Sequence, residues 1–209
     1  MLLIGLTGSI GMGKSTAAER FRTLGLPVVD ADAEVHKLYR GAAVAPIEAA
    51  FPGTTRKLPE GGAEVDRVAL AKALMADTAG FKTLERIVHP MVFQAEKTLL
   101  RDAVAAGATM AILEIPLLFE GGGEKRVDVT VVVSAPPEMQ RARVLARPGM
   151  TPEKLDTILA RQTPDAEKRR RADFVVDTGK TIPETQAQID RIVEQLKGRS
   201  GSAYAAYWS

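Results

Sequence analysis

The sequence predicts an α/β protein built on a doubly wound, five-stranded parallel β-sheet. Short apolar segments alternate with segments of helical periodicity, which is typical of parallel strands covered by helices on both faces. The predicted strands lie in LLIGLT (2–7), LPVVD (26–30), ATMAILEIP (108–116), VDVTVVVSAPP (127–137) and ADFVVDTG (172–179). Sheets of this kind bind ligands beyond the carboxyl ends of their strands, so functional residues are expected there.

Helical periodicity fills most of the remaining sequence. Residues 14–25 place Ala17, Phe21 and Leu24 on one face and end at Gly25, a natural helix stop. Residues 33–107 are mostly helical in pattern, with the loop FPGTTRKLPEGG between. Their longest helix, about residues 78–106, contains Pro90, which should bend or split it. The last predicted helix, about 183–197, has a face formed by Ile189, Ile192, Val193 and Leu196.

Composition excludes several kinds of protein. The 209 residues carry a net charge of +2, too small to indicate nucleic acid or a membrane surface as partner. The chain has no cysteine, which excludes disulfides and thiolate metal sites, and its two histidines argue against a histidine-rich site. Since MLLIGLTGSIG has no basic start and soon reaches glycines, it is not a signal peptide. We expect a monomer in the cytoplasm.

The segment GSIGMGKS, residues 8–15, matches the phosphate-binding pattern G-x-x-x-x-G-K-[ST]. A predicted strand precedes it and a predicted helix follows, which is the context that this pattern requires and which argues against a glycine turn without function. Lys14 can reach the outer phosphates and Ser15 can bind Mg²⁺. The expected phosphate-binding residues are Gly8, Gly11, Met12, Gly13, Lys14, Ser15 and Thr16.

A GTPase is a poor interpretation of this P-loop. The segment DTAG, residues 77–80, fits D-x-x-G, but it follows a segment of helical spacing instead of a buried strand. The chain also contains no asparagine, so the guanine-reading motif N-K-x-D cannot exist. A small-molecule kinase fits better, and it needs an acid or base for the acceptor hydroxyl, an acceptor pocket and cations that neutralise the transferred phosphoryl group.

Three carboxylates are expected at the carboxyl edge of the sheet. Asp30 and Asp32 sit where the second strand ends. A helix starting near Ala31 would make Asp30 its N-cap, whereas a continuing strand would point both side chains the same way. An aspartate at this edge can orient an acceptor hydroxyl toward the γ-phosphate. Glu114 ends the third strand, where it either holds a Mg²⁺-bound water or is a solvated strand end.

Positive charge is concentrated in residues 136–171. Nine Lys or Arg and five acidic residues give this segment a net charge of +4, against −2 for the rest of the chain. Arg143 and Arg147 are four residues apart and share a helical face, which favours an arginine-bearing lid over phosphates. The alternative is a solvated basic face, which is the expectation for most of KRRR, residues 168–171.

Several longer segments resemble the dephospho-coenzyme A kinase family. They are GLTGSIGMGKSTAAERFRTLGLPVVDADAEVH (5–36), LERIVHPMV (84–92), IPLLFE (115–120), QRARVLAR (140–147), and ILARQ (158–162) with EKRRRADFVVDTG (167–179). They occur in the family's order and extend to about Leu196. Two positions depart from the family pattern: Glu114, where many relatives have Asp, and Thr178, where relatives often have Asn.

The resemblance implies transfer of phosphate from ATP to the ribose 3′-hydroxyl of dephospho-coenzyme A, the last step of coenzyme A synthesis, with Mg²⁺ as cofactor. By position, Asp32 would be the catalytic acid or base, Arg143 the lid arginine, and His89 with Pro90 part of the acceptor site. Lys14 would join Asp32 and Arg143 in catalysis.

The resemblance also implies a domain organisation. Residues 1–32, 108–135 and 172–197 would form the P-loop core, 33–107 a helical acceptor-binding lobe and 136–171 a lid. Residues 198–209, which are small and polar, are expected from their composition to form a flexible tail. No nucleic acid or membrane partner is expected. Two alternatives stay open: another small-molecule kinase, and a non-catalytic module that binds nucleotide.

Overall fold

The computed structural model describes residues 1–77 and 79–209. In chain order the elements are β1 (Leu2–Thr7), α1 (Lys14–Thr23), β2 (Val28–Asp30), α2 (Ala31–Leu38), α3 (Val44–Ala50), β3 (Thr55–Lys57), β4 (Ala63–Val65), α4 (Arg67–Ala76), α5 (Gly80–Ala105), β5 (Met110–Glu114), a 3₁₀ turn (Gly123–Arg126), β6 (Val129–Ser134), α6 (Pro137–Leu145), α7 (Pro152–Leu159), α8 (Asp165–Arg171), β7 (Phe174–Asp177), α9 (Ile182–Leu196) and a π-helical turn (Tyr204–Trp208). They fall into unit 1, residues 1–29 and 100–209, and unit 2, residues 30–99.

The main sheet has the strand order β2-β5-β1-β6-β7, which confirms the predicted α/β fold. β1 pairs in parallel with β5 on one edge and with β6 on the other. All six residues of β1 and all six of β6 are buried, which explains why these strands read as continuous apolar runs. Because the strands are parallel, their carboxyl ends meet at one edge of the sheet.

Helices α1 and α9 pack in the core of unit 1. Ala17 and Phe21 of α1 are fully buried there, together with Ile189 and Leu196 of α9, as the helical periodicity predicted. Leu24 does not follow its prediction and is 36% exposed. The reason is that α1 ends at Thr23 and the chain then turns at Gly25 with a positive φ of 78°.

Unit 2 has its own apolar core, formed by helices α2 to α5 around Ile47, Leu70, Leu74 and Val88. The predicted loop FPGTTRKLPEGG is not entirely loop, because β3 within it pairs with β4 as an antiparallel hairpin. Arg56 stands opposite Glu64 in this pairing, and their side chains form an ion pair of 2.6 Å. A cross-strand ion pair of this kind stabilises β3, a strand that could not be predicted from alternating apolar residues.

The longest helix, α5, continues through Pro90 instead of splitting there. Proline removes one backbone hydrogen bond, but Val88 before it is buried and Val92 after it packs against the same core. The predicted start of this helix near position 78 lies outside the described residues, and α5 begins at Gly80. Among the helices that the structure describes, none is both long and apolar enough to cross a membrane.

The C-terminal residues differ from the expected flexible tail. Trp208 is only 1% exposed, and its indole N–H donates to the backbone oxygen of Arg126 at 2.9 Å. The carboxylate of Asp128 accepts hydrogen bonds from the backbone N–H groups of Ser202 and Ala203. A small, polar sequence is therefore held in place by one large buried aromatic side chain and by the carboxylate of Asp128.

We predict that Trp208→Ala lowers the free energy of unfolding by about 3–5 kcal/mol, because it empties a fully buried aromatic site. Urea unfolding of the purified protein measures this loss. The matched control is Tyr207→Ala, since Tyr207 is 47% exposed and its loss should change stability by less than about 0.5 kcal/mol. Equal effects of the two substitutions would contradict the packed arrangement.

Candidate active site

The phosphate loop begins where β1 ends at the carboxyl edge of the sheet, and α1 starts within it at Lys14. Gly11 and Gly13 have positive φ angles of 77° and 86°, a backbone conformation that favours glycine. A Cβ atom on Gly11 would also lie 2.5 Å from the side chain of Val144. The glycines of the motif are therefore required by backbone geometry and by packing, before any ligand binds.

Three polar side chains hold the phosphate loop from other parts of unit 1. The Thr178 hydroxyl donates to the Met12 carbonyl at 2.7 Å. The Gln140 amide donates to the Ile10 carbonyl at 2.8 Å, and the Gln162 side-chain oxygen accepts from the Ile10 N–H at 3.1 Å. Sequence patterns did not single out these residues for this role, because their partners lie more than a hundred positions away. Together they preorganise the loop for a phosphate.

The Lys14 ammonium donates to a carboxylate oxygen of Glu114 at 2.7 Å. Glu114 is 3% exposed, which rules out the alternative of a solvated strand end. Arg22 is a second cation beside this carboxylate, at 3.4 Å. The hydroxyl-bearing residues Ser15 and Thr16 are exposed at the start of α1. The loop thus combines a cation, exposed hydroxyl groups and a helix N-terminus, an arrangement that binds phosphates.

Arg143 lies on α6 and is directed at the loop that follows β7. Its guanidinium donates to the Thr178 carbonyl at 2.7 Å and to the Thr178 hydroxyl at 3.3 Å. Because the same hydroxyl binds the Met12 carbonyl, Thr178 connects Arg143 to the phosphate loop. Arg147 is exposed and lies beyond the end of α6 at Leu145, so the two arginines do not share one helical face.

The basic run at residues 168–171 is only partly a solvated face. Lys168 is fully buried, and its ammonium lies 2.9 Å from a carboxylate oxygen of Glu120. Burial acts to raise the pKa of Glu120, but the ion pair with Lys168 and the hydrogen bond from the Thr163 N–H outweigh it and hold that pKa below its ordinary value. Arg171 pairs with Glu124 at 2.7 Å. The prediction of a solvated face is wrong for Lys168.

The two aspartates after β2 differ, as a helix start near Ala31 requires. Asp30 is the N-cap of α2 and its carboxylate accepts the Ala33 N–H at 3.1 Å. Asp32 lies in the first turn of α2 and is exposed, and no described residue hydrogen-bonds to its carboxylate. His89 and Pro90, the other predicted acceptor residues, are exposed on α5. All four residues belong to unit 2.

A buried strand, a glycine loop with this backbone and a helix N-terminus at the edge of a parallel sheet define a P-loop nucleotide-binding protein. The family model described as dephospho-CoA kinase matches residues 2–184. The chain belongs to this family, and the resemblance seen in the sequence is confirmed.

Individual relatives agree with this assignment. The dephospho-CoA kinase of Rhodopseudomonas palustris strain HaA2 is 58% identical over 194 residues, which are 93% of this chain and 95% of that protein. The crystal structure of TT1252 from Thermus thermophilus has a TM-score of 0.78 at 34% identity, covering 94% and 98% of the two chains. The dephospho-CoA kinase from Campylobacter jejuni shares the fold, with a TM-score of 0.68 at 23% identity over 93% and 96%.

We predict that Thr178→Val weakens both the fold and nucleotide binding. Valine has nearly the same shape, so the main loss is the hydroxyl that binds the Met12 carbonyl and Arg143, worth about 1–3 kcal/mol. Thermal unfolding measures the stability and calorimetric titration measures the affinity for ATP. Thr178→Ser is the control, because it keeps the hydroxyl. If the valine variant matches the serine variant in both measurements, Thr178 does not support the loop.

Proposed function

We propose that this protein transfers the γ-phosphoryl group of ATP to the ribose 3′-hydroxyl of dephospho-coenzyme A, producing coenzyme A and ADP. This reaction is the last step of coenzyme A biosynthesis. The observation that supports it best is the family match over residues 2–184, which includes an intact phosphate loop whose backbone is held by Thr178, Gln140 and Gln162. The domain boundaries, including a lid at residues 136–171, remain part of this proposal.

In the proposed reaction, the backbone N–H groups of residues 11–16 bind the phosphates of ATP, with Gly8 allowing the loop to turn away from β1. Lys14 exchanges its ion pair with Glu114 for the outer phosphates and neutralises charge that develops during transfer. Arg143 supplies the second positive charge, and Arg147 assists it from an exposed position just beyond α6.

The residues at the phosphate loop also fit a Mg²⁺ ion that arrives with ATP. Ser15 offers an exposed hydroxyl and Glu114 a carboxylate, both of which are oxygen ligands of the type that Mg²⁺ prefers. No cluster of three or more His, Cys, Asp or Glu side chains that could hold a metal occurs in the described ranges 1–77 and 79–209. When bound, Mg²⁺ would neutralise charge on the β- and γ-phosphates.

Asp32 is the proposed acid or base for the acceptor. Its carboxylate is exposed and is hydrogen-bonded to no described residue, so it is available to accept the hydrogen bond of a ribose hydroxyl. Asp30, by contrast, is committed to capping α2 and takes no part in the chemistry. His89 and Pro90 complete the proposed acceptor site from α5.

The proposed enzyme works on small molecules alone, as a monomer in the cytoplasm. Both substrates are metabolites, and a net charge of +2 gives no reason to invoke a nucleic acid. Light scattering after size exclusion tests the monomer, whose mass is 22.4 kDa.

We predict that Asp32→Asn removes most turnover while ATP still binds with unchanged affinity. Asparagine has the same shape but cannot act as a base, so the loss should reach about 100-fold or more in kcat. Asp30→Asn is the matched control, because asparagine caps a helix about as well as aspartate. Near-normal turnover in the Asp32 variant would remove this residue from the mechanism.

The choice of acceptor is tested by a substrate screen with Mg²⁺ and ATP. We expect phosphorylation of dephospho-coenzyme A in strong preference to AMP or shikimate, with one ATP consumed for each acceptor converted. Preference for AMP or shikimate would favour another small-molecule kinase. ATP binding without consumption of ATP in the presence of any of these acceptors would favour a nucleotide-dependent binding module.

A further inference from the structure

Two adjoining grooves in unit 2 share His36, Tyr39 and Arg67 in their walls. The first groove has a volume of about 340 Å³, contains Asp32, and is otherwise lined largely by apolar side chains such as Leu70. The second has a volume of about 450 Å³ and is lined mainly by charged side chains. The carboxylate of Asp32, proposed above to bind the acceptor hydroxyl, and the charged groove are therefore parts of one continuous surface.

A chain of hydrogen bonds links Asp32 to Arg67 through His36. The His36 Nδ1 atom lies 2.7 Å from the backbone oxygen of Asp32, and a carbonyl only accepts, so Nδ1 is the donor. In the neutral imidazole Nε2 is then the acceptor, and the Arg67 guanidinium donates to it at 2.8 Å. His36 lies four residues, about 6 Å, after Asp32 along α2 and thereby orients the guanidinium of Arg67, the first residue of α4.

The carboxylates of the charged groove are already committed. Glu64 binds Arg40 at 2.8 Å and Arg56 at 2.6 Å, and the hydrogen bonds from Arg56 and Arg40 lower its pKa. Asp66 caps α4 by accepting backbone N–H groups, of which the Ala69 N–H contributes most to lowering its pKa.

Arg67 differs from its basic neighbours in this groove. Within the described part of the chain it forms no ion pair with a carboxylate, and its hydrogen-bonding partner is the uncharged ring of His36. Lys37, in comparison, pairs with Glu34 at 2.6 Å. The positive charge of Arg67 also acts on the Tyr39 hydroxyl. Burial raises the pKa of that hydroxyl, and Arg67 opposes part of this increase. An exposed, oriented and uncompensated guanidinium is a site for an anionic group.

We propose that Arg67 binds the diphosphate of dephospho-coenzyme A and that His36 is the residue that positions it. This inference rests on the proposed function. The acceptor carries its 3′-hydroxyl and its 5′-diphosphate on the same ribose, so the two groups must be bound a short distance apart. Asp32 and Arg67 line the same groove and offer a carboxylate for the hydroxyl and a guanidinium for the diphosphate, while the apolar walls contact an uncharged part of the acceptor.

Steady-state kinetics of Arg67→Gln test the proposal. We expect the KM for dephospho-coenzyme A to rise about 10- to 100-fold, the loss of one charge-assisted contact, with the KM for ATP changed less than about twofold. Arg67→Lys keeps the positive charge but not the planar, two-point donor geometry of a guanidinium. Its KM for dephospho-coenzyme A should therefore lie between those of the wild type and Arg67→Gln. Lys57→Gln is the matched control, because it removes one positive charge from an exposed position outside both grooves.

Two results for Arg67→Gln would overturn the proposal. One is a KM for dephospho-coenzyme A within about twofold of the wild type; the other is an equal rise in the KM values of both substrates, which indicates a general structural effect. If the wild-type protein turns over no dephospho-coenzyme A at all, the proposed function fails together with this inference. If the wild type is active and Arg67→Gln behaves like Lys57→Gln, only this inference fails.

The role of His36 is tested by a double-mutant cycle. We expect His36→Phe to raise the KM for dephospho-coenzyme A less than Arg67→Gln does, and the double variant to be no worse than Arg67→Gln alone. His36→Gln retains an acceptor for Arg67 and should recover part of the loss. Strictly additive effects in the double variant, or no effect of His36→Phe, would exclude His36 as the positioning residue.

Discussion

The pairing of β1 with strands on both of its edges is the constraint on which the phosphate loop depends. Leu6 stands in register with Glu114 of β5, and Thr7 with Val132 of β6. A strand held in this way has no freedom to shift, so the loop that follows it leaves the sheet at a fixed point. The same register brings the Glu114 carboxylate within reach of Lys14 at the other end of that loop.

Charge at the phosphate loop is balanced before a ligand arrives. A buried carboxylate with one cationic partner would be left uncompensated when that partner moves to a phosphate, at a cost of several kcal/mol. Glu114 avoids this because Arg22 is a second cation beside it. Lys14 can therefore change partner without stranding a buried anion. The Thr178 hydroxyl is uncharged and contributes in another way, by joining the loop to Arg143 through two hydrogen bonds.

The sequence predicted what depends on local pattern. The central strands β1, β5 and β6 are fully buried runs and the P-loop has a fixed spacing, so both were found, although most predicted strands extend a few residues beyond the observed ones. Contacts between distant residues left no such trace: Thr178, Gln140 and Gln162 look like ordinary polar residues until the fold brings them to the loop. The burial of Lys168 and of Trp208 was missed for the same reason, because each depends on a partner elsewhere in the chain.

The division into units has a consequence for the order of folding. Unit 2 is one continuous segment, residues 30–99, inserted between the two parts of unit 1. During synthesis its core can form from near neighbours in the chain, whereas β1 has to wait for β5 and β6 to emerge. β1 is thus made well before both of the strands that pair with it. Until they emerge its apolar side chains are exposed, and exposed apolar segments of this kind are prone to aggregate.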